Sequence, residues 1–288
     1  MKVHRFSHEA MATLFEISCV HADARYADQA AQAAFALVDR LEQDLSRFIA
    51  NSDVSRINLL PEGEGTRVSA ETMECLEIAR RMHDLTLGAF DVSVGSGLTG
   101  LDLASDEFMV RSRTGGVRLD LGGIGKGYAV DRVAELLEEW GIPRALIHGG
   151  WSSVLAMGPP PDEDGWTLTL SAPPPQEPRV LVRISARNKA LSASGTRKGD
   201  HILDPRTGQP VRGRAAWVSV GREEGVPGSP ATLAEALSTA FMVLSREEIA
   251  DLCRRCSGLE AWLVEDEALV HLAAPEGGGS SAQGISSA

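Results

Sequence analysis

The sequence predicts an α+β protein, a single domain over residues 1–274 in which mixed sheets are flanked by helices. Three observations predict it. Long segments repeat apolar residues at helical spacing. Short β-like runs, broken by Pro and Gly clusters, fill the second half. A chain of 288 residues at 43% hydrophobic and 24% charged has the balance of a globular protein with one sizeable core.

The elements follow in order. Ala30, Ala33, Ala34, Leu37, Val38, Leu41, Leu45 and Phe48 recur at three- and four-residue spacing and share one helical face. A second helix is expected from Ser69 to Leu87, with Ser69 as N-cap, Glu71 and Glu74 in its first turn and Gly88 just past its end. A third runs from Tyr128 to Trp140, stopped by Gly141 and Pro143. Strands are expected at Arg144–His148, Val154–Met157, Trp166–Leu170, Val180–Ile184 and Ala216–Val220. Helices return at Thr232–Leu244 and Arg246–Cys256, and short strands at Ala261–Val264 and Ala268–Leu272 close the domain. Residues 275–288 are rich in Gly, Ser and Ala and are expected to form a disordered tail.

Charge and composition exclude some classes of partner. A net charge of −12 repels nucleic acid and anionic membrane surfaces, so an anionic ligand needs local N–H groups, a lysine or a metal ion. No apolar run reaches the ~18 residues a transmembrane helix needs, so no membrane insertion is expected. The first residues, Met1 to Glu9, contain no apolar stretch of signal-peptide type, and cytoplasmic residence is the expectation. Cys253 and Cys256 form a C-x-x-C pair, but with only Cys19 and Cys75 besides them there is no second pair to complete a zinc site. They read as two thiols near a helix end.

Four segments could carry chemistry. In Arg118–Tyr128 a strand ends in an acid, Asp120, and a Gly-rich turn leads into a helix whose N-terminus would offer N–H groups to an anion. It is not a Walker A loop, because Gly127 follows Lys126. Nor is it a dinucleotide fingerprint, because Tyr128 stands where the third glycine belongs. A purely structural turn is its other reading. In His201–Gly208, Asp204 reads as the cap of a turn through Pro205 and Gly208, and His201 stands at its entrance. Glu235, Ser238 and Thr239 lie at helical spacing on one face. One carboxylate with two hydroxyls suits a Mg²⁺ ion that shares its coordination with phosphates, or else is a polar helix start. Leu87–Gly95 would set Phe90 and Asp91 beside a ligand ring, or simply connect a helix to a loop.

Together these segments match one family in order and spacing. The series runs from Ala10–Thr13 through Ser46–Phe48, Ser52–Asn58, Ala89–Gly95, Asp120–Tyr128, His148–Gly150, Ser194-Gly195 and His201–Gly208 to Ala234–Ala240. The chain resembles the FAD:protein FMN transferases, flavin transferases of thiamine-biosynthesis-lipoprotein type, over residues 5 to 270. The resemblance implies a catalytic domain whose FAD cleft lies between two lobes. It implies that Met11, Phe48, Ala89, Phe90, Asp91, Asp120, Lys126 and Ile202 hold FAD. Gly123, through its carbonyl, would join Glu235, Ser238 and Thr239 around Mg²⁺. His201 would act as general base on the threonine of an acceptor flavoprotein, or orient its attacking hydroxyl, and FMN would be transferred to that threonine with release of AMP. An FAD pyrophosphatase and a non-catalytic flavin binder are the alternatives.

The chain departs from the family pattern at several positions. Glu235 stands for the usual Asp and Ser238 for a frequent second acid. Trp151 replaces Asn or Asp, and Ala193 replaces Thr. The stretch from Thr196 to Asp200 is short, which implies a trimmed acceptor-facing loop.

Overall fold

The chain opens on a hairpin of β1 (Lys2–Ala10) and β2 (Thr13–His21), which no sequence signal announced. The turn between them is Met11-Ala12, with both residues at positive φ, 51° and 56°. Such a two-residue turn normally calls for Asn-Gly or a similar pair, so its absence hid the hairpin. The computed structural model describes residues 1–171, 179–195, 202–222, 229–265 and 268–274. The expected tail, 275–288, lies outside them.

Helix α1 (Ala24–Leu45) is capped by Asp23, whose carboxylate accepts from the N–H groups of Arg25 at 2.8 Å and Tyr26 at 3.2 Å. It buries Ala27, Ala30, Ala31, Ala34, Phe35, Val38, Leu41 and Leu45. The helix stops there, so Phe48 does not continue that face and is 82% exposed. A smaller lobe follows, made of α2 (Asp53–Asn58), β3 (Gly65–Arg67), α3 (Ala70–Leu85), β4 (Leu101–Ala104) and β5 (Met109–Ser112). Its sheet has the order β3-β5-β4. Ser69 caps α3 as expected, accepting from Thr72 N–H at 3.1 Å.

The chain then returns to the larger lobe. Its elements are α4 (Gly125–Glu139), β6 (Ala145–Gly149), β7 (Ser153–Met157), β8 (Trp166–Ser171), β9 (Val180–Ala186), β10 (Lys189–Gly195), β11 (Arg214–Gly221), α5 (Pro230–Ala240), α6 (Arg246–Arg255), β12 (Leu259–Glu265) and β13 (Ala268–Ala273). Eight strands pair in the order β1-β2-β6-β7-β10-β11-β12-β13. The expected mixed sheets are antiparallel in every described pairing.

Alternation across the large sheet explains its apolar runs. On β7, Leu155 and Met157 join the helix-side core while Val154 and Ala156 join a second cluster. On β11, Ala216, Val218 and Val220 face the helices, and Ala215 and Trp217 face the other way. That second face is covered by the β8–β9 ribbon through Trp166, Leu168, Leu170 and Ala186. Strands buried on both faces read as continuous apolar runs rather than as alternating ones. On the helix side α4 packs between α1 and α5, and α3 of the small lobe reaches α5.

Candidate functional site

Residues 118–120, expected as a strand ending in Asp120, belong to no strand, although Asp120 itself is extended. Side chains and loops satisfy their backbone instead. The Asn58 side-chain amide accepts from Leu119 N–H at 2.6 Å and donates to the Leu119 carbonyl at 3.0 Å. Arg118 N–H donates to Ser96 Oγ at 2.8 Å, and Asp120 N–H to the Val92 carbonyl at 2.7 Å. The small lobe thereby fixes where Asp120 stands. Its carboxylate accepts from Gly122 N–H at 2.9 Å and pairs with Arg47 Nε at 2.8 Å. The Arg47 guanidinium lies 4.2 Å from the ring centroid of the exposed Phe48.

After a short 3₁₀ turn, Leu121–Gly123, α4 begins at Gly125, three residues before the expected Tyr128. Gly125 and Gly127 are poor helix formers, which hides this first turn from periodicity and propensity. Gly127 is required by packing. A methyl group on it would lie 2.3 Å from the Ala231 carbonyl oxygen, so only glycine lets α4 and α5 cross this closely. Ile124, the residue at the N-cap of α4, offers no side-chain cap, so the first turn of the helix is served from elsewhere.

Helix α5 brings Glu235 to the same place. Glu235 is 4% exposed, and its Oε2 accepts from Gly127 N–H at 2.5 Å. Its Oε1 pairs with Lys126 Nζ, which also donates to the Gly122 carbonyl at 3.1 Å. Ser238 Oγ and Thr239 Oγ1 donate back to the Glu235 carbonyl at 2.9 and 3.3 Å. Ser194 of β10 meets Ser238 Oγ at 2.9 Å and Thr239 Oγ1 at 3.4 Å, and Ser192 is 3.5 Å from Ser238. A methyl group built on Gly123 would lie 3.5 Å from Thr239 Oγ1 and 3.4 Å from Phe90 Cε2. Lys126 and Glu235 are therefore paired, Gly123 lies against Thr239, and Ser238 and Thr239 turn their hydroxyls to the Glu235 carbonyl, where α4, α5 and β10 adjoin. The helical spacing pointed only to Glu235, Ser238 and Thr239 sharing a face.

A hard divalent cation fits this donor set, which offers a carboxylate, hydroxyls and carbonyls and no nitrogen or sulfur ligand. Its one carboxylate is already paired with an ammonium. Among the described residues no group of three or more His, Cys, Asp or Glu gathers anywhere as an alternative metal centre.

The other predicted residues surround this point less tightly. Ala89 and Phe90 are buried, 1% and 3% exposed, so Phe90 supports Gly123 from inside rather than presenting a free ring face. The Asp91 carboxylate organises its own turn, accepting from Ser93 N–H at 2.8 Å, Ser93 Oγ at 2.7 Å and Gly95 N–H at 2.9 Å. That turn abuts the 202–211 hairpin, since a methyl group on Gly95 would lie 3.0 Å from the Pro205 carbonyl oxygen. Ile202 is buried at the base of that hairpin, and Asp204 caps its turn as expected, accepting from Arg206 N–H at 2.9 Å. Met11 is half-buried at the β1–β2 tip. The tip adjoins the β6–β7 turn, where Gly150 N–H donates to the Leu14 carbonyl at 2.9 Å. Trp151, next in that turn, is 96% exposed. His201 lies outside the described residues. Leu87 and Val94, with φ of 52° and 47°, join Met11 and Ala12 as left-handed non-glycine residues in the segments around the site.

The sequence reading gave Asp131 no role. It sits on α4, is 3% exposed, and accepts from Ala231 N–H at 3.0 Å, Thr232 N–H at 2.7 Å and Thr232 Oγ1 at 2.6 Å. Ser229, the residue at the N-cap of α5, provides no side-chain cap, so Asp131 takes that role from the neighbouring helix. Burial pushes its carboxyl up to about 6 against the pull of those hydrogen bonds. An acid amid Ala129, Val130, Val133, Ala134 and Leu137, all buried, was the signal that could have found it.

Comparison with known proteins bears on the whole arrangement. The FAD:protein FMN transferase of Klebsiella pneumoniae (strain 342) is 24% identical over 300 residues, covering 90% of this chain and 83% of its own. That of Escherichia coli (strain K12) is likewise 24% identical, with the same coverage. The apo structure of the Pseudomonas stutzeri flavinyl transferase ApbE superposes with a TM-score of 0.79 at 25% identity, covering 95% of this chain and 94% of that one. The flavin transferase ApbE of Vibrio cholerae shares the fold with a TM-score of 0.79 at 22% identity, covering 95% and 98%. The ApbE family model matches residues 11–101 and 97–263, which takes in both lobes and every described site residue from Met11 to Thr239, and the chain belongs to the ApbE family.

Proposed function

We propose that this protein is an FAD:protein FMN transferase, moving FMN from FAD to a threonine of an acceptor protein and releasing AMP. The observation that carries the reading is the junction of the Gly-rich start of α4 with Lys126 and the buried Glu235, beside hydroxyls of α5 and β10. That is an anion site fused to a cation site, which a diphosphate substrate with a divalent cation requires. The curated relatives named above carry the same activity in their names.

In this reading the FAD diphosphate lies against the first turn of α4, and Lys126 neutralises one phosphate. Glu235, Ser238, Thr239 and the Gly123 carbonyl would hold Mg²⁺, which offsets the charge that builds on the pyrophosphate during transfer. Asp120, fixed by Arg47 and by the Val92 carbonyl, and the Ala89–Gly95 turn border the dinucleotide, while Met11, Phe48 and Ile202 offer it apolar surface. The acceptor threonine oxygen attacks the phosphorus attached to riboflavin, the bond to the AMP phosphate breaks, and AMP leaves. His201 takes the threonine proton, a role resting on its place in the sequence motif.

The test is a reaction of purified protein with FAD, Mg²⁺ and a threonine-bearing acceptor flavoprotein, read as AMP released and fluorescent flavin bound to the acceptor. Both products in equal amounts are expected. AMP and free FMN without labelling would make the protein a pyrophosphatase, and FAD binding with neither product would make it a flavin binder. Among the described residues no helix is long and apolar enough to cross a membrane.

A further inference from the structure

We infer that Lys126 is an intramolecular cation occupying the divalent-cation niche, so that the metal binds tightly only when a diphosphate draws the ammonium away. The inference rests on the function proposed above and adds an order to the binding of its two ligands.

The niche is already satisfied without any ligand. The Glu235 side chain is 5% exposed, and a carboxylate so placed must be paired. Both of its oxygens are claimed, one by Gly127 N–H at 2.5 Å and the other by the Lys126 ammonium. The same ammonium donates to the Gly122 carbonyl at 3.1 Å, so it sits among the kind of oxygens that a hard cation selects. A divalent ion arriving alone would face a resident positive charge and a carboxylate both of whose oxygens already accept a hydrogen bond.

Lys126 also belongs to the first turn of α4, the turn that receives the diphosphate, and its side chain is 22% exposed. An ammonium on a flexible stem can exchange one anionic partner for another without moving the helix. Moving to a phosphate leaves the buried Glu235 charge without a counter-ion, held only by Gly127 N–H, and that state is strongly disfavoured unless a second cation takes the vacated place. Diphosphate and metal therefore strengthen each other's binding, and by linkage the factor is the same in both directions.

The test uses Mn²⁺, whose free form is counted by electron paramagnetic resonance, and ADP-ribose, a flavin-free diphosphate diester. Mn²⁺ bound to ADP-ribose in solution is measured separately and subtracted. Wild-type protein is expected to bind Mn²⁺ about tenfold or more tightly when ADP-ribose is present, within the usual range of coupling between sites. Lys126→Met is expected to bind Mn²⁺ alone about tenfold more tightly than wild type and to gain little from ADP-ribose. Glu235→Gln should lose Mn²⁺ binding under both conditions. Equal Mn²⁺ affinity of the wild type with and without ADP-ribose, or no gain in Lys126→Met, would overturn the inference. If Lys126→Met does not fold, the wild-type comparison alone decides. If ADP-ribose and FAD both fail to bind, the proposed transferase reading falls, and Mn²⁺ affinity of Lys126→Met against wild type still decides whether the lysine holds the niche.

Discussion

Gly127 donates its backbone N–H to the Glu235 carboxylate at 2.5 Å, from a position where any side chain would strike the Ala231 carbonyl. One residue thus sets both the helix crossing and the orientation of the site carboxylate. Gly127→Ala gains helix propensity on α4, yet the clash at 2.3 Å with backbone forces the helices apart. The expected outcome is a loss of roughly 1–3 kcal/mol in urea unfolding. Metal-dependent activity should fall further than stability explains, because Glu235 moves with the crossing.

Glu235→Gln keeps the volume and removes the charge. The amide can accept from Gly127 but cannot neutralise Lys126 or hold a metal as an anion. AMP release from FAD should fall by at least about a hundredfold, equivalent to about 2.7 kcal/mol of lost transition-state stabilisation. Glu235→Asp, which restores the residue type usual in the family, should retain metal-dependent release. Steady-state assays across a Mg²⁺ titration check both.

Asp131 predicts a pH dependence of stability. Its folded value of about 6 lies above its ordinary 3.8, so between those values the folded state holds a proton that the unfolded chain has released. Its contribution is fully present below the lower value, falls as pH rises through the window, and is level above it. Asp131→Asn also weakens the capping of α5, at a cost of about 1 kcal/mol. The stability difference between wild type and variant, from denaturation curves at several pH values, should shrink with rising pH across that window only.

The Met11-Ala12 turn stores strain, with both residues left-handed. Ala12→Gly should stabilise the protein by up to about 1 kcal/mol, since an L-residue there costs roughly 1–2 kcal/mol and glycine's greater unfolded-state freedom returns part of it. Thermal unfolding checks the sign.

Much of this architecture was legible in the sequence, and the parts that were not have physical reasons. Helix α3 and its Ser69 cap, the β7 and β11 runs, and the Glu235–Thr239 spacing follow from periodicity and capping chemistry. The N-terminal hairpin was hidden because its turn lacks the residues such a turn prefers. Strand β10 was hidden because Ser192 and Ser194 break its apolar pattern, their hydroxyls meeting α5 instead. The pairing of Lys126 with Glu235 joins positions far apart in the chain, and no local pattern encodes such a contact. Asp131 was missed because helical periodicity registers a buried acid only as an interruption.

The most direct test of the account is to count AMP and acceptor-bound flavin from one reaction of FAD, Mg²⁺ and a threonine-bearing acceptor, run with wild type and with Glu235→Gln. Both products are expected in equal amounts from the wild type, with their loss on chelating Mg²⁺ and at least about a hundredfold less of each from the variant. Flavin labelling that persists undiminished without Mg²⁺, or in Glu235→Gln, would contradict the assignment of the α4–α5 junction as the site of transfer.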